Sequence, residues 1–241
     1  MEKAAPRDVE RIIGFYTDKY DEDSRLDRHR TEFITTTYIL NKVIGTESQV
    51  LDIGAGTGIY SIYYAGRGCS VTALDLVPKH VEILNSKLGA LQNLRVSAEV
   101  GDARDLSRFQ EDSFDVVLCM GPICHLEADE IDNCVRECLR VLRSGGIFAA
   151  SYANRYEGYE SDRYKEFFAF HTPDAIDQLL RSYGIEPICN VPTDGAPFDD
   201  LIESRLGDLQ EPHAWLDKHQ SVFNRLADRF AHGLYVGRNG S

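Results

Sequence analysis

The pattern of apolar and polar residues changes character near residue 49. Before that point, two stretches with helical spacing are separated by the almost wholly polar residues 21–30, and the second stretch ends at Gly45. The first stretch is defined by Val9, Ile12, Ile13, Tyr16 and Tyr20. The sequence therefore predicts an N-terminal helical cap over residues 1–47.

After residue 49, short apolar runs alternate with amphipathic helical patterns. The runs predict seven strands, at residues 49–53, 70–74, 94–100, 114–120, 147–152, 185–191 and 233–236. Strands that alternate with helices in this way favour a parallel sheet with right-handed crossovers. The predicted fold class is α/β, a doubly wound and mostly parallel seven-stranded sheet. Ligands of such sheets bind outside the carboxyl ends of the strands.

The charge balance narrows the choice of partners. The chain has 241 residues, with 26 Lys and Arg against 39 Asp and Glu, which gives a formal net charge of −13. This acidity argues against a nucleic-acid partner, because a phosphate backbone would be repelled. No run approaches the roughly 18 apolar residues of a membrane helix, and no apolar run follows the first charged residues. We therefore expect a cytoplasmic protein without a membrane segment or secretory signal.

The six cysteines include no C-x-x-C pair. Cys134 and Cys138 are four residues apart, so on a helix they would share one face. They could be half of a metal site or two small apolar residues of a helix stripe. Two further ligands at suitable spacing are missing, so no metal is predicted.

A glycine-rich loop, VLDIGAGTG at residues 50–58, follows the first strand and precedes a helix. Glycines at positions 54, 56 and 58 allow a tight turn and the close approach of a ligand. Asp52 precedes the loop, where a carboxylate suits a cationic group, and Asp75 ends the second strand, where it suits ribose hydroxyls. Asp102 follows the third strand, and with the N–H of Ala103 it could read an adenine edge. Each aspartate alone could merely cap a strand end, but three beside one glycine loop indicate a ligand site.

The ordered segments LDIGAGTG, TALDL, GDARDLS, FDVVLCMGP and LRSGGIF resemble the class I S-adenosylmethionine-dependent methyltransferases over residues 48–152. The resemblance implies a Rossmann-like fold with S-adenosyl-L-methionine as cofactor and S-adenosyl-L-homocysteine as product. It also implies that Asp52 and the loop hold the methionine part, Asp75 the ribose, and Leu76 the adenine face. Together with Tyr20 and Arg25 of the cap, the predicted cofactor-binding residues are Asp52, Gly54, Ala55, Gly56, Gly58, Asp75, Leu76, Asp102, Ala103 and Met120.

A weaker resemblance extends over most of the chain. MGPICHL is similar to the GPLYHL element of a bacterial subgroup of this family, and FYTDKYDEDSRL and HGLYVGR fit that subgroup as well. The sequence departs from it at Cys124, where the subgroup usually has an aromatic residue. Arg25 lies in the subgroup's EDxRL stretch and could clamp a carboxylate. Alternatively, Arg25, Arg28 and Arg30 form a solvated face paired with Asp21, Glu22, Asp23 and Asp27.

The resemblance implies a division of the chain into three parts within one domain, 1–241. The cap (1–47) precedes the cofactor-binding core (48–153), and residues 154–241 supply the remaining strands and substrate-side insertions. The first insertion is the aromatic stretch after residue 153, and the second is helical and occupies 197–232, before the last strand.

Methyl transfer needs a nucleophile in line with the sulfonium, and a base if that nucleophile carries a proton. His125, shortly after the fourth strand, is the candidate base; it could instead cap a helix or bind a loop carbonyl. His171 and His219 are weaker candidates. Tyr16 and Tyr20 could close over the cofactor from the cap or belong to its core stripe. Trp215 is read as packing for the helical insertion.

The predicted function is transfer of a methyl group from S-adenosylmethionine to a small-molecule acceptor by in-line displacement. Three alternatives stay open. An RNA or protein methyltransferase would need a basic face. A nicotinamide-dependent oxidoreductase usually has G-x-G-x-x-G, whereas Gly58 comes one residue early. A non-catalytic module could bind the cofactor alone. The acceptor atom and the oligomeric state are left open.

Overall fold

Helices and strands alternate through the described chain. The structure is a computed structural model that describes residues 9–25, 30–154, 167–195, 216 and 230–240. The helices are α1 (Val9–Asp18), α2 (Arg30–Leu40), α3 (Ile59–Gly66), α4 (Pro78–Ala90), α5 (Ala128–Val141) and α6 (Pro173–Ser182). The strands are β1 (Gln49–Ile53), β2 (Ser70–Asp75), β3 (Val96–Val100), β4 (Phe114–Met120), β5 (Leu142–Asn154), β6 (Phe170–His171), β7 (Ile185–Pro192) and β8 (His232–Asn239).

The strands form one mixed sheet in the order β3-β2-β1-β4-β5-β8-β7, and the short β6 pairs with the end of β5. Strands β1 to β6 pair in parallel, whereas β8 runs antiparallel to both of its neighbours. The predicted α/β fold with a mostly parallel sheet is confirmed. The strand order reverses between β1 and β4, which is where ligands of doubly wound sheets bind.

The two central strands are buried on both faces. Leu51 and Val117 contribute to a core on one face, and Val50 and Leu118 contribute to a core on the other. Helix α5 covers the first face with an apolar stripe, while α3 covers the second. Strands covered on both sides are apolar almost throughout, which is why the sequence identified β1 and β4 so closely.

The boundaries differ from prediction mainly at β5. Ser144-Gly145-Gly146, read from the sequence as a turn, lies within this strand. Phe114 pairs with Leu142 and Val116 pairs with Ile147, so three extra residues on β5 bulge out of the ladder. Gly145, with φ +71°, absorbs the bend. The glycines therefore mark a bulge rather than the start of the strand.

Several predictions fall outside the described residues. These are most of the aromatic insertion after residue 153, most of the helical insertion at 197–232, and the residues Asp27, Arg28, Trp215 and His219. The division of the chain into one domain with a cap and insertions stays a prediction. Among the described residues, no helix is both long enough and apolar enough to cross a membrane.

Candidate functional site

A cavity opens at the carboxyl ends of β1, β2 and β4, where the strand order reverses. Its walls come from the glycine loop, the segment after β4 and the cap helix α1. It brings together the predicted site residues Tyr20, Arg25, Gly54, Ala55, Gly56, Asp75, Leu76, Asp102, Ala103, Met120 and His125. Asp52 and Gly58 are the two predicted site residues that do not line it.

The glycine loop turns too tightly for larger residues. Gly54, Gly56 and Gly58 have φ angles of +73°, +55° and +90°. A Cβ on Gly54 would lie 2.6 Å from the carbonyl oxygen of Met120, and one on Gly58 would lie 2.1 Å from Cδ1 of Leu84. Gly58 therefore serves the packing of the loop on α4, while Gly54 and Gly56 face the cavity.

Asp75, at the end of β2, is held by three donors. Its Oδ2 accepts a hydrogen bond from the N–H of Gly56 at 2.7 Å. Its Oδ1 accepts from the N–H of Val77 at 2.8 Å and pairs with Nδ1 of His80 at 3.1 Å. These contacts fix the carboxylate at the wall of the cavity and tie it to the glycine loop.

Asp52 lies beside the cavity rather than in its wall, so its predicted direct contact with the ligand is not seen in the cavity lining. The carboxyl group is fully buried, and Oδ2 accepts a hydrogen bond from the Ser61 hydroxyl at 2.6 Å. Oδ1 has no hydrogen-bond partner within the described part of the chain. Burial raises the pKa of Asp52 to about 7, against the smaller opposing effect of the Ser61 hydrogen bond.

Asp102 faces the cavity with a partner that the sequence did not reveal. Nε of Arg104 donates to both carboxylate oxygens of Asp102, at 2.9 Å and 3.1 Å. Arg104 also contacts Glu130 at the start of α5. The side-chain hydrogen bond from Arg104 holds the pKa of Asp102 below its usual value, against the opposing effect of burial. An adenine amino group at this position would share Asp102 with Arg104.

Arg25 is paired inside the cap, with a residue that was not predicted. Its guanidinium donates to both carboxylate oxygens of Glu32, at 2.6 Å and 2.8 Å. Glu32 is buried in α2, and Glu22 lies 3.9 Å from the same guanidinium. The alternative of a solvated arginine face is wrong for Arg25, because its bidentate partner is buried. Glu22 itself covers Gly56, with its Cγ 3.2 Å from where a Cβ would stand.

His125 reaches the cavity just after a short 3₁₀ helix, Pro122–Cys124. Its Nδ1 lies 2.7 Å from the carbonyl oxygen of Phe167, which can only accept, so Nδ1 carries the hydrogen. Nε2 is then the basic nitrogen, and the Tyr16 hydroxyl donates to it at 3.0 Å. Burial and the nearby Glu22 carboxylate raise the pKa of Tyr16 well above its usual value. Tyr16, which keeps its proton, and His125 thus form a hydrogen-bonded pair.

Cys134 and Cys138 do share a helix face, and Cys119 of β4 joins them. The three sulfur atoms lie within 4.8 Å of one another in the apolar core between α5 and the sheet. All six cysteines are free. Their burial among apolar side chains matches the interpretation as small core residues.

Sequence reasoning did not place several residues in the cavity wall, among them His80, Arg104 and Glu22. His80 follows Asp75 by five residues in the first turn of α4, close enough in the chain to have been suspected. Arg104 and Glu22 depend on how loops fold over the sheet, and no local pattern marks them. His171 lies in β6 and is not part of the cavity wall.

Residues 50–146 match the family described as "Methyltransferase domain". The chain is 33% identical over 128 residues to "Ubiquinone biosynthesis O-methyltransferase" of Xanthomonas campestris pv. campestris (strain B100), covering 53% of this chain and 52% of that protein. The chain therefore spans about half the length of the curated relatives it matches.

Solved structures show the same fold at low sequence identity. Phosphoethanolamine N-methyltransferase 2 of Haemonchus contortus, in complex with S-adenosyl-L-methionine, has a TM-score of 0.69 at 16% identity, over 95% of this chain and 60% of that one. The cyclase SpnF has a TM-score of 0.62 at 19% identity, over 86% of this chain and 80% of that one. Since one of these proteins is described as a cyclase, the fold alone does not define the reaction.

The family match and these sequence relatives support the methyltransferase prediction. The resemblance to the subgroup with GPLYHL stays a prediction. Residues 50–146 thus match a methyltransferase domain, and the fold around them is that of S-adenosylmethionine-dependent methyltransferases of known structure.

Proposed function

We propose that the protein transfers a methyl group from S-adenosyl-L-methionine to a small-molecule acceptor that gives up a proton. The observation that carries this proposal is one cavity lined by the glycine loop, by Asp75 and by the Tyr16–His125 pair. The glycine loop and Asp75 form a binding surface, and His125 is a base that is hydrogen-bonded to Tyr16. The relatives that share the domain supply the reaction class.

The residues present fit the cofactor. Gly54 and Gly56 line the cavity, and their lack of side chains allows close approach of a ligand to the backbone. Asp75 offers a carboxylate oxygen to hydroxyl groups, and Asp52 has a buried oxygen without a partner among the described residues. Leu76, Ala103 and other apolar groups of the wall suit a flat aromatic base. We assign Asp75 to the ribose, and Leu76 with Asp102 and Ala103 to the adenine.

The remaining predicted contacts belong to the proposal as well. Met120 ends β4 at the cavity and would face the reacting end of the cofactor. Tyr20 lines the wall from the cap. Arg25 would meet the methionine carboxylate only by sharing its guanidinium with Glu32, so we place its main role in fixing the cap.

His125 is the proposed base. When bound, the cofactor would supply an activated methyl carbon and a thioether leaving group. Nε2 of His125 would receive the proton of the acceptor, either through the Tyr16 hydroxyl or after Tyr16 has been displaced. The Phe167 carbonyl keeps the hydrogen on Nδ1, and it would stabilise the charged imidazolium that results. Because base and cavity share one wall, proton removal and methyl transfer can occur together.

The cap supports a small acceptor. Helix α1 forms one wall of the cavity with Val9, Ile12 and Tyr16, which restricts the access of a large polymer. The net charge of −13 also opposes an RNA substrate. Free thiols throughout are compatible with the cytoplasmic location that we propose.

Methyl transfer from S-adenosyl-L-methionine carrying a labelled methyl group tests the proposal. The full chain is incubated with a panel of small phenols, carboxylic acids, thiols and amines, and in parallel with total RNA and an unrelated protein. We expect label in at least one small molecule and none in RNA or protein. Label in RNA or protein alone would replace the small-molecule assignment, and binding without transfer to any acceptor would favour a non-catalytic module.

A further inference from the structure

His80 carries a buried nitrogen that nothing in the described structure satisfies. The side chain is only 4% exposed and lies in the wall of the cavity. Its Nδ1 faces Oδ1 of Asp75 at 3.1 Å, and a carboxylate can only accept, so Nδ1 carries the hydrogen. In the neutral imidazole Nε2 is then an acceptor, and it has no hydrogen-bond partner among residues 9–25, 30–154, 167–195, 216 and 230–240.

Asp75 is nearly saturated. A carboxylate has about four acceptor positions, two on each oxygen. The Val77 N–H and His80 Nδ1 use those of Oδ1, and the Gly56 N–H uses one of the two on Oδ2. One position is left, on Oδ2. A ribose presents two neighbouring hydroxyls, so Asp75 can take one of them and a second acceptor is needed for the other.

We propose that His80 is this second acceptor: Asp75 Oδ2 accepts a hydrogen bond from one ribose hydroxyl of the cofactor and His80 Nε2 accepts from the other. This inference rests on the proposed function. The contact of His80 Nδ1 with Asp75 Oδ1 places the imidazole next to the carboxylate in the wall of the same cavity. A buried acceptor without a donor costs free energy, which a ligand hydroxyl would remove. The Tyr16 ring, with its centroid 5.5 Å from that of His80, holds the imidazole in place from the cap side.

The test compares S-adenosyl-L-homocysteine with its 2′-deoxy and 3′-deoxy analogues by isothermal titration of the full chain. In the wild-type protein, loss of either hydroxyl should weaken binding about 3- to 10-fold, the effect of one hydrogen bond. In His80→Asn, the amide can still donate to Asp75 but cannot replace Nε2. This variant should bind the product about 3- to 10-fold more weakly, and one of the two analogues should then bind as well as the product itself.

His80→Gln is the matched control, because its amide oxygen reaches the position of Nε2. In this variant, both deoxy analogues should still bind more weakly than S-adenosyl-L-homocysteine. If His80→Asn does not give a cooperative thermal transition, His80→Met is titrated in its place. If both deoxy analogues bind His80→Asn, or His80→Met in its place, as weakly relative to S-adenosyl-L-homocysteine as they bind the wild type, the assignment of His80 is overturned. A folded wild-type protein that binds no S-adenosyl-L-homocysteine would instead overturn the proposed function, so the two failures are distinct.

Discussion

Replacing Asp52 with Asn should change how the stability of the protein depends on pH. The carboxyl group is fully buried, and its pKa is raised from an ordinary 3.8 to about 7. Above pH 3.8 the unfolded chain releases this proton, whereas the folded protein retains it until about pH 7. The folded state therefore binds more protons in this range, and stability falls as the pH rises.

The size of the effect follows from the width of that range. Each unit of difference between the folded and unfolded pKa corresponds to about 1.4 kcal/mol, so Asp52 lowers the free energy of unfolding by about 4 kcal/mol above pH 7. About 3 kcal/mol of this loss of stability occurs between pH 4.5 and pH 7. Asn cannot ionise, so Asp52→Asn should gain about 3 kcal/mol relative to the wild type over this interval.

Urea unfolding at half-unit steps from pH 4.5 to pH 8 measures this difference. Glu111→Gln, on an exposed loop, is the control and should track the wild type at every pH. A constant difference between Asp52→Asn and the wild type would refute the reasoning, because it would mean that Asp52 titrates alike in the folded and unfolded states.

Three further changes test the loop, the cap and the base. Gly58→Ala should lower the free energy of unfolding by about 2–3 kcal/mol, because the new Cβ would collide with Leu84 and the backbone has a φ of +90°. Gly89→Ala, which has open space around it, should be neutral or stabilise the protein by up to about 1 kcal/mol. Equal urea midpoints for the two variants would contradict this. Arg25→Met should cost about 2–3 kcal/mol because the buried Glu32 loses its bidentate partner, and the double change with Glu32→Leu should recover most of this loss. A double variant no more stable than the single one would count against a buried pair. His125→Ala should lower kcat about 10²- to 10⁴-fold and leave the affinity for S-adenosyl-L-homocysteine within about 3-fold. The control His171→Ala, which lies outside the cavity wall, should retain the wild-type kcat. Equal kcat values in the two variants would exclude His125 as the base.

The sheet could be predicted largely from local patterns. Strand β4 is apolar at nearly every position because helices cover both of its faces, so its bounds are those expected. The start of β5 was missed because Gly145 and Gly146 predict a turn, and only the pairing with β4 shows that they form a bulge. The two-residue β6 has no periodicity to detect and depends on the neighbouring end of β5.

The candidate site divides in the same way. Gly54, Gly56 and Asp75 could be placed from their spacing, since a glycine loop and an acidic strand end have a fixed relation in this type of sheet. Local spacing did not show that Asp52 lies beside the cavity wall, because that depends on the contact with Ser61 in the next helix. Nor did it show the pairing of Arg25 with Glu32, which depends on how the cap folds back on itself.

The central claim is that this cavity binds S-adenosyl-L-methionine through the glycine loop and Asp75. Isothermal titration of the full chain with S-adenosyl-L-homocysteine tests it most directly, with Asp75→Ala as the comparison. We predict one site per chain and an affinity at least about tenfold weaker in Asp75→Ala, since several hydrogen bonds are lost together. Absence of binding by the folded wild-type protein, or equal affinity in Asp75→Ala, would contradict it.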